Sequence, residues 1–308
     1  MFSNKLLILT YHRVLGPEHR QDADQVDRDQ FDMHVGMLSR YFNVLTLADA
    51  VDAVARRELP SRAVVITFDD GYRDNVTVAL PVLERHGVAA SFFIATGYLD
   101  GGIMFNDIVI ESIMRCDADV AELSPLRLGR HPLATQSDRN NAIASLLGEL
   151  KYRPEDERTD MARKIADHLQ IDIPTDLMMN TEDLLHLRDV GMEIGGHTRS
   201  HPILAATPDG AAFDNICQGK ADIEAITGVP VTSFAYPNGR PGQDFEARHA
   251  SMVRDAGFVR AVTTAAACVT ADTDSYQLGR FSVWHRSRPK LLLRILLNYF
   301  ADSQVTVQ

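Results

Sequence analysis

Apolar positions along the chain fall into two alternating rhythms. Short β-branched or aromatic runs occupy residues 6–11, 63–68, 90–95, 192–195, 232–236, 259–263 and, more weakly, 281–284, each bounded by turn formers. Between them apolar residues recur at helical spacing: Phe31, Val35, Leu38 and Tyr41; Val78, Val82 and Leu83 after Asp74; Leu184, Leu185 and Leu187 after Asn180. Strands alternating with helices predict βα units around a parallel sheet, and about seven strands suit a barrel better than a small open sheet. The rhythm breaks between about 106 and 179, where the pattern predicts several helices, including 140–151 and 155–169, and no clear strand. This stretch is expected to be a helical insertion between two βα units, so that 1–308 forms one domain. The tail, about 289–301, predicts an apolar helix with two basic residues. Such a helix can pack on the body, join a partner or touch a membrane surface peripherally, and packing is the favoured reading.

Composition narrows the partners. The 308-residue chain is 45% hydrophobic and carries a formal charge of −11, which disfavours nucleic acid and suits a neutral substrate such as an acetylated sugar chain. Cys116, Cys217 and Cys268 are far apart, which argues against a disulfide framework and a thiolate zinc site. The apolar run Leu6 to Leu9 is too short for a signal-peptide core, and no stretch approaches a membrane span. The bare sequence therefore reads as cytoplasmic. Glycine-rich phosphate loops and a GxSxG elbow are absent.

Three strand ends carry candidate chemistry. Val64-Val-Ile-Thr-Phe runs into Asp69, Asp70 and Gly71. Acidic residues at the C-terminal end of a strand sit where α/β barrels place their chemistry. Adjacent carboxylates repel unless a cation or proton intervenes, so one can ligate a metal while the other takes a proton from water. An Asp-Gly turn with a solvated cap is the bland alternative. In Gly195-Gly-His-Thr-Arg-Ser-His-Pro, His197 and His201 are four apart, and Pro202 places them in a loop or single turn. Two imidazoles and a carboxylate suit Zn²⁺, Co²⁺, Ni²⁺ or Fe²⁺, with positions left for water and substrate. The third segment, Ser233-Phe-Ala-Tyr-Pro-Asn-Gly, is again a strand entering a turn, where a backbone N–H could stabilise an oxyanion.

In this order the segments resemble the polysaccharide deacetylase family, carbohydrate esterase family 4, which shares the NodB homology domain. Thr67–Gly71 matches its T-F-D-D-G motif and His197–His201 its H-[ST]-x-x-H motif. The resemblance implies a distorted (β/α)₇ barrel and metal-dependent deacetylation of N-acetylated, less often O-acetylated, carbohydrate. It makes Asp69 the general base, makes Asp70, His197 and His201 the ligands of a divalent metal, most simply Zn²⁺, and gives the Tyr236 N–H to the oxyanion. Two motifs depart from the family pattern. Phe234-Ala-Tyr-Pro stands where an arginine usually precedes the proline turn, and the Asp-Trp signature is not visible. Tyr11-His12-Arg13-Val14 and Phe234-Ala-Tyr-Pro are similar to a subgroup that deacetylates exopolysaccharides such as poly-N-acetylglucosamine. That subgroup has a circularly permuted barrel and draws its general acid from the N-terminal strand. By this resemblance His12 is the acid, with His285 as its rival. The partner implied is an N-acetylated glycan or a lipid-linked sugar. Two other readings stay open: hydrolysis of another amide or imide on the same fold, and a non-catalytic glycan-binding relative.

Overall fold

The computed structural model describes residues 4–16, 26–299 and 306–307. His19 and the expected helix end at 300–301 lie outside them. The described residues form two compact units, 1–100 with 178–308, and 101–177.

The larger unit is built on eight parallel strands: β1 Leu7–Tyr11, β2 Asn43–Leu45, β3 Ala63–Phe68, β4 Ser91–Ile94, β5 Glu193–Gly196, β6 Ser233–Ala235, β7 Arg260–Val262 and β8 Phe281–Ser282. Their order is β7-β6-β5-β4-β3-β1-β8, and β2 also pairs with β3. Strand β1 lies along β3 from Val64 to Phe68, Leu7 opposite Val64 and Tyr11 opposite Phe68. The other edge of β3 is shared: β2 takes its first half, Asn43 opposite Ala63, and β4 its last two residues, Thr67 opposite Ser91. The ends of the order meet through Leu278, which bridges Val262 just before the chain enters β8. The curled parallel sheet with its helices is the NodB-type barrel expected. The N-terminal strand sits inside the order beside β3, as the permuted arrangement requires.

Period 2 divides the strand residues between two apolar clusters. Leu7, Leu9, Tyr11, Val64, Ile66, Phe68, Phe92 and Ile94 pack against helical residues such as Phe31, Val35 and Leu83. Ile8, Val65, Phe93, Ala235, Val262 and Leu278 form the other cluster, inside the curl. Strands buried on both faces read as continuous apolar runs, which is why seven of them were visible in the sequence. Strand β2 was not, because three residues carry no period. The C-terminal helix Arg288–Tyr299 buries Leu291, Ile295 and Tyr299. The Tyr299 hydroxyl donates to the Ala63 carbonyl at 3.1 Å. No described helix is long and apolar enough to cross a membrane.

The smaller unit has helices Phe105–Arg115, Gln136–Leu150 and Glu155–Leu169 around its own core of Ile108, Val109, Leu123, Leu146 and Ile165. It also holds an antiparallel pair, Val120–Glu122 with Arg130–Pro132, where only helices were expected. These three-residue strands are too short and too polar to show alternation.

Candidate metal centre and its surroundings

The parity of the strands decides which side chains meet. Thr10 and Thr67 share a hydrogen bond of 3.1 Å on the inner face, so His12 and Asp69, two residues further on, continue that face. The Asp69 N–H donates to the Tyr11 carbonyl at 3.1 Å and holds the two strand ends together. Asp70 would fall on the outer face, but its backbone turns left-handed (φ 78°), and Gly71 follows at φ 90°. A Cβ at Gly71 would meet Ile94 at 3.4 Å in a conformation that L residues rarely adopt. This turn leaves both carboxylates buried with different partners.

Asp69 faces Arg280. The guanidinium donates to Oδ1 at 2.7 Å and to Oδ2 at 2.6 Å, and also to Thr67 Oγ1 and the Thr263 carbonyl. Burial pushes the Asp69 carboxyl up, but the charge and hydrogen bonds of Arg280, with the nearby His197 and His12, outweigh it and hold the group below the usual carboxylate range. Sequence reasoning missed Arg280. Its only signal was a lone cation between Gly279 and the apolar Phe281, on the segment that closes the sheet.

A folded-state value below the unfolded one makes this pair stabilising above the unfolded value, about pH 4, and the contribution is lost as the pH falls through the lowered value. Arg280→Met leaves a buried carboxylate unpaired. It is expected to lower unfolding free energy at neutral pH by about 3–5 kcal/mol, with a smaller loss in acid. Denaturant unfolding at both pH values checks this; an equal loss at both would mean that packing, not charge, is responsible.

Asp70 lies against the second motif. A Cβ at Gly195 would come within 2.5 Å of the Phe93 ring, so β5 can approach β4 only with glycine there. The His197 N–H then extends the ladder to the Ile94 carbonyl at 3.1 Å. His197 Nδ1 donates to the Ala235 carbonyl at 2.7 Å, which leaves Nε2 as the nitrogen that could hold an ion. The chain loops through Thr198 (φ 64°) to His201 (φ 52°), as Pro202 suggested, with no helix. Thr198 Oγ1 donates to the His197 carbonyl and accepts the His201 N–H at 3.1 Å. Asn215 accepts the N–H groups of Arg199 and Ser200 at 2.8 and 2.9 Å. Left-handed Asp70, Thr198, His201 and Asn238 all lie in the turns after β3, β5 and β6, a concentration of strain typical of functional sites.

The donors fit a divalent cation. Nε2 of His197 and of His201 lie 3.3 and 3.4 Å from Asp70 Oδ1, and the three ligand atoms fall within 4.8 Å of one another. Two ligands about 2.1 Å from one ion at a tetrahedral angle stand roughly 3.4 Å apart. Asp70 Oδ1 is buried without a hydrogen-bond partner, an otherwise costly state that an ion relieves. Burial pushes the Asp70 carboxyl up, but His197, His201 and His12 outweigh it and the group stays strongly acidic. Burial pulls His197 down, but the two carboxylates prevail and raise it.

His12 is half-buried, close enough for its charge to act on both Asp69 and Asp70, and Asn75 Nδ2 donates to its carbonyl at 2.8 Å. His285 is placed differently. Strand β8 ends at Ser282, and His285 lies three residues beyond it in irregular chain. Its carbonyl accepts from His34 Nε2 at 2.6 Å, and the charges acting on it are those of Arg294 and Lys290. His34 also meets the Tyr11 hydroxyl at Nδ1, and burial pushes it down to about 4.

The Tyr236 N–H, expected to face an oxyanion, is occupied. It donates to the Val262 carbonyl at 3.2 Å, because β6 and β7 stay in register past Ala235. The ring is buried and stacked on Phe245, and the hydroxyl donates to the Tyr276 carbonyl. Pro237 has no N–H, so the next donor along the chain is Asn238, whose N–H has no acceptor among the described residues.

A family model described as polysaccharide deacetylase matches residues 56–123 and 159–260, more than half of the chain. YxkH of Bacillus subtilis (strain 168) is 35% identical over 91 residues, which are 29% of this chain; the match spans about a third (31%) of that curated relative. Three solved structures share the fold. Streptococcus pyogenes deacetylase PplD in complex with acetate has 18% identity and a TM-score of 0.62, over 94% of this chain and 97% of that one. IcaB from Ammonifex degensii has 18% identity and a TM-score of 0.61, over 96% and 97%. A de-N-acetylase from Aggregatibacter actinomycetemcomitans has 15% identity and a TM-score of 0.62, over 94% and 99%.

Proposed function

This chain belongs to the polysaccharide deacetylase family, and from that premise we propose that it removes acetyl groups from N-acetylated amino sugars of a glycan or its lipid-linked precursor. The observation that carries the reading is the junction of two sets at one sheet end: the Asp70, His197 and His201 donors, and the Asp69–Arg280 pair beside them. A divalent cation held by the three donors, Zn²⁺ or else Co²⁺, Ni²⁺ or Fe²⁺, would polarise the acetyl carbonyl and bring the pKa of water toward neutrality.

Asp69 is the proposed general base. Arg280 engages both its oxygens, keeps it ionised and fixes the carboxylate plane, and each oxygen retains a lone pair for the water proton. The low basicity that Arg280 imposes is tolerable only against an acidified water, which ties the base to the cation. The proposed oxyanion donor is the Asn238 N–H, in place of Tyr236. His12, on the inner face with Asp69, is the proposed acid that protonates the leaving amine; its charge acts on Asp69 and Asp70, whereas His285 feels Arg294 and Lys290, which favours His12. A binding-only relative would have no need of an ionised carboxylate beside the donor set.

The glycan reading is tested by product analysis. Acetate and free amine should appear from N-acetylglucosamine oligomers and not from cyclic amides or imides. Turnover of a cyclic substrate without acetate would replace it with the small-amide reading. Under the proposed roles Arg280→Met should also move the acid limb of kcat/KM to higher pH, since burial is then opposed at Asp69 only by His197 and His12; an unmoved limb would remove Arg280 from the mechanism.

A further inference from the structure

The C-terminal helix Arg288–Tyr299, with sequence RPKLLLRILLNY, is apolar on nearly all sides. A helix of that kind is expected to be covered all round. Here only one stripe is covered, by Leu291, Ile295, Asn298 and Tyr299. On the opposite side Leu293 is 57% exposed and Leu297 55%, with Leu292 at 40% on the flank. Trp284, just before the helix, is 47% exposed.

The charge of the same stretch is unlike the rest of the chain. From Arg280 to Tyr299 there are five cations and no carboxylate, in a chain of net charge −11. Arg280 is spent inside the barrel. Arg286, Arg288, Lys290 and Arg294 are exposed, and their side chains make no ion pair or hydrogen bond among the described residues.

We propose that this helix, with Trp284, docks the protein flat onto an anionic lipid surface, its outer leucines in the acyl boundary and its four cations among the headgroups. Long cationic side chains reach the headgroup layer from a helix lying in the interface, and tryptophan favours that level. A second copy of the chain fits worse. A two-fold contact through this face would set four cations against four, and three leucines with one tryptophan fall short of the roughly 800 Å² per partner of a stable interface. The proposal goes beyond the deacetylase reading and does not depend on it.

The test uses the full chain and its single tryptophan as an internal probe. Co-sedimentation and tryptophan emission are followed with phosphatidylcholine vesicles and with mixed phosphatidylcholine/phosphatidylglycerol vesicles. Binding and a blue shift are expected only with the mixed vesicles, and are reversed by high salt. Leu293→Asp with Leu297→Asp, and separately Lys290→Ser with Arg294→Ser, should each weaken partitioning by about tenfold or more. All four positions are exposed, so the fold should survive, which circular dichroism checks. Absence of binding to the mixed vesicles, or equal partitioning of the wild type and the leucine variant, would overturn the proposal. So would a wild-type dimer that the leucine variant dissociates, which would assign the face to a second copy.

Discussion

Asp69→Asn is expected to lower acetate release by about 100- to 10,000-fold while leaving metal uptake unchanged. The amide keeps the shape of the side chain but cannot accept the water proton. It touches none of the three donor atoms, which belong to Asp70, His197 and His201. The same change leaves the buried Arg280 guanidinium without its counter-charge, so stability should fall by about 3–5 kcal/mol. The rate must therefore be read well below the variant's unfolding temperature, with bound metal measured on the same sample. Near-normal turnover by a folded, metal-loaded variant would remove Asp69 as the base.

His201→Ala is expected to lose metal and activity together, with metal affinity weakened by more than about 100-fold. Of the three donors His201 is the most exposed, 19% at the side chain against 2% for His197. Its removal therefore leaves a smaller hole than removal of His197 would, and loss of its pairing with Asp70 and its ring contact with His197 should lower the unfolding midpoint of the metal-free protein only modestly. His197→Ala would be harder to read, because that ring is buried and its Nδ1 holds the Ala235 carbonyl. The expected pattern is a modest loss of metal-free stability, lost metal and lost acetate release. A His201→Ala protein that binds metal as tightly as wild type would show that the ligand set is drawn wrongly.

The donors were legible because each lies at or just beyond the end of a continuous apolar strand, where a short motif carries the information. Asp69, Asp70, His197 and His201 needed only strand ends and a spacing of four. His12 needed the same and the parity of β1. Arg280 was not legible, since it meets Asp69 across 211 positions of sequence from the segment that closes the curl between β7 and β8. No local period marks that segment. The misplacement at Tyr236 has a similar origin. Whether its N–H is free depends on the register of β6 against β7, with Ala235 opposite Val262, and register between strands is not written in either one alone. The hairpin Val120–Glu122 with Arg130–Pro132 was overlooked because three residues of mixed polarity offer no alternation. The strands and the three clustered donors were thus visible where information is local, and the surroundings of Asp69 were not, because they are made by closure.

The central claim is that Asp70, His197 and His201 hold a cation without which no acetyl group is removed. Its most direct test is acetate release from N-acetylglucosamine oligomers by metal-stripped protein, titrated with Zn²⁺ and with Co²⁺, beside Asp70→Ala under the same additions. Release that rises to saturation at about one ion per chain in the wild type and stays at background in the variant is the result expected. Release by the stripped protein in the presence of chelator, or equal metal-stimulated release by Asp70→Ala, would contradict it.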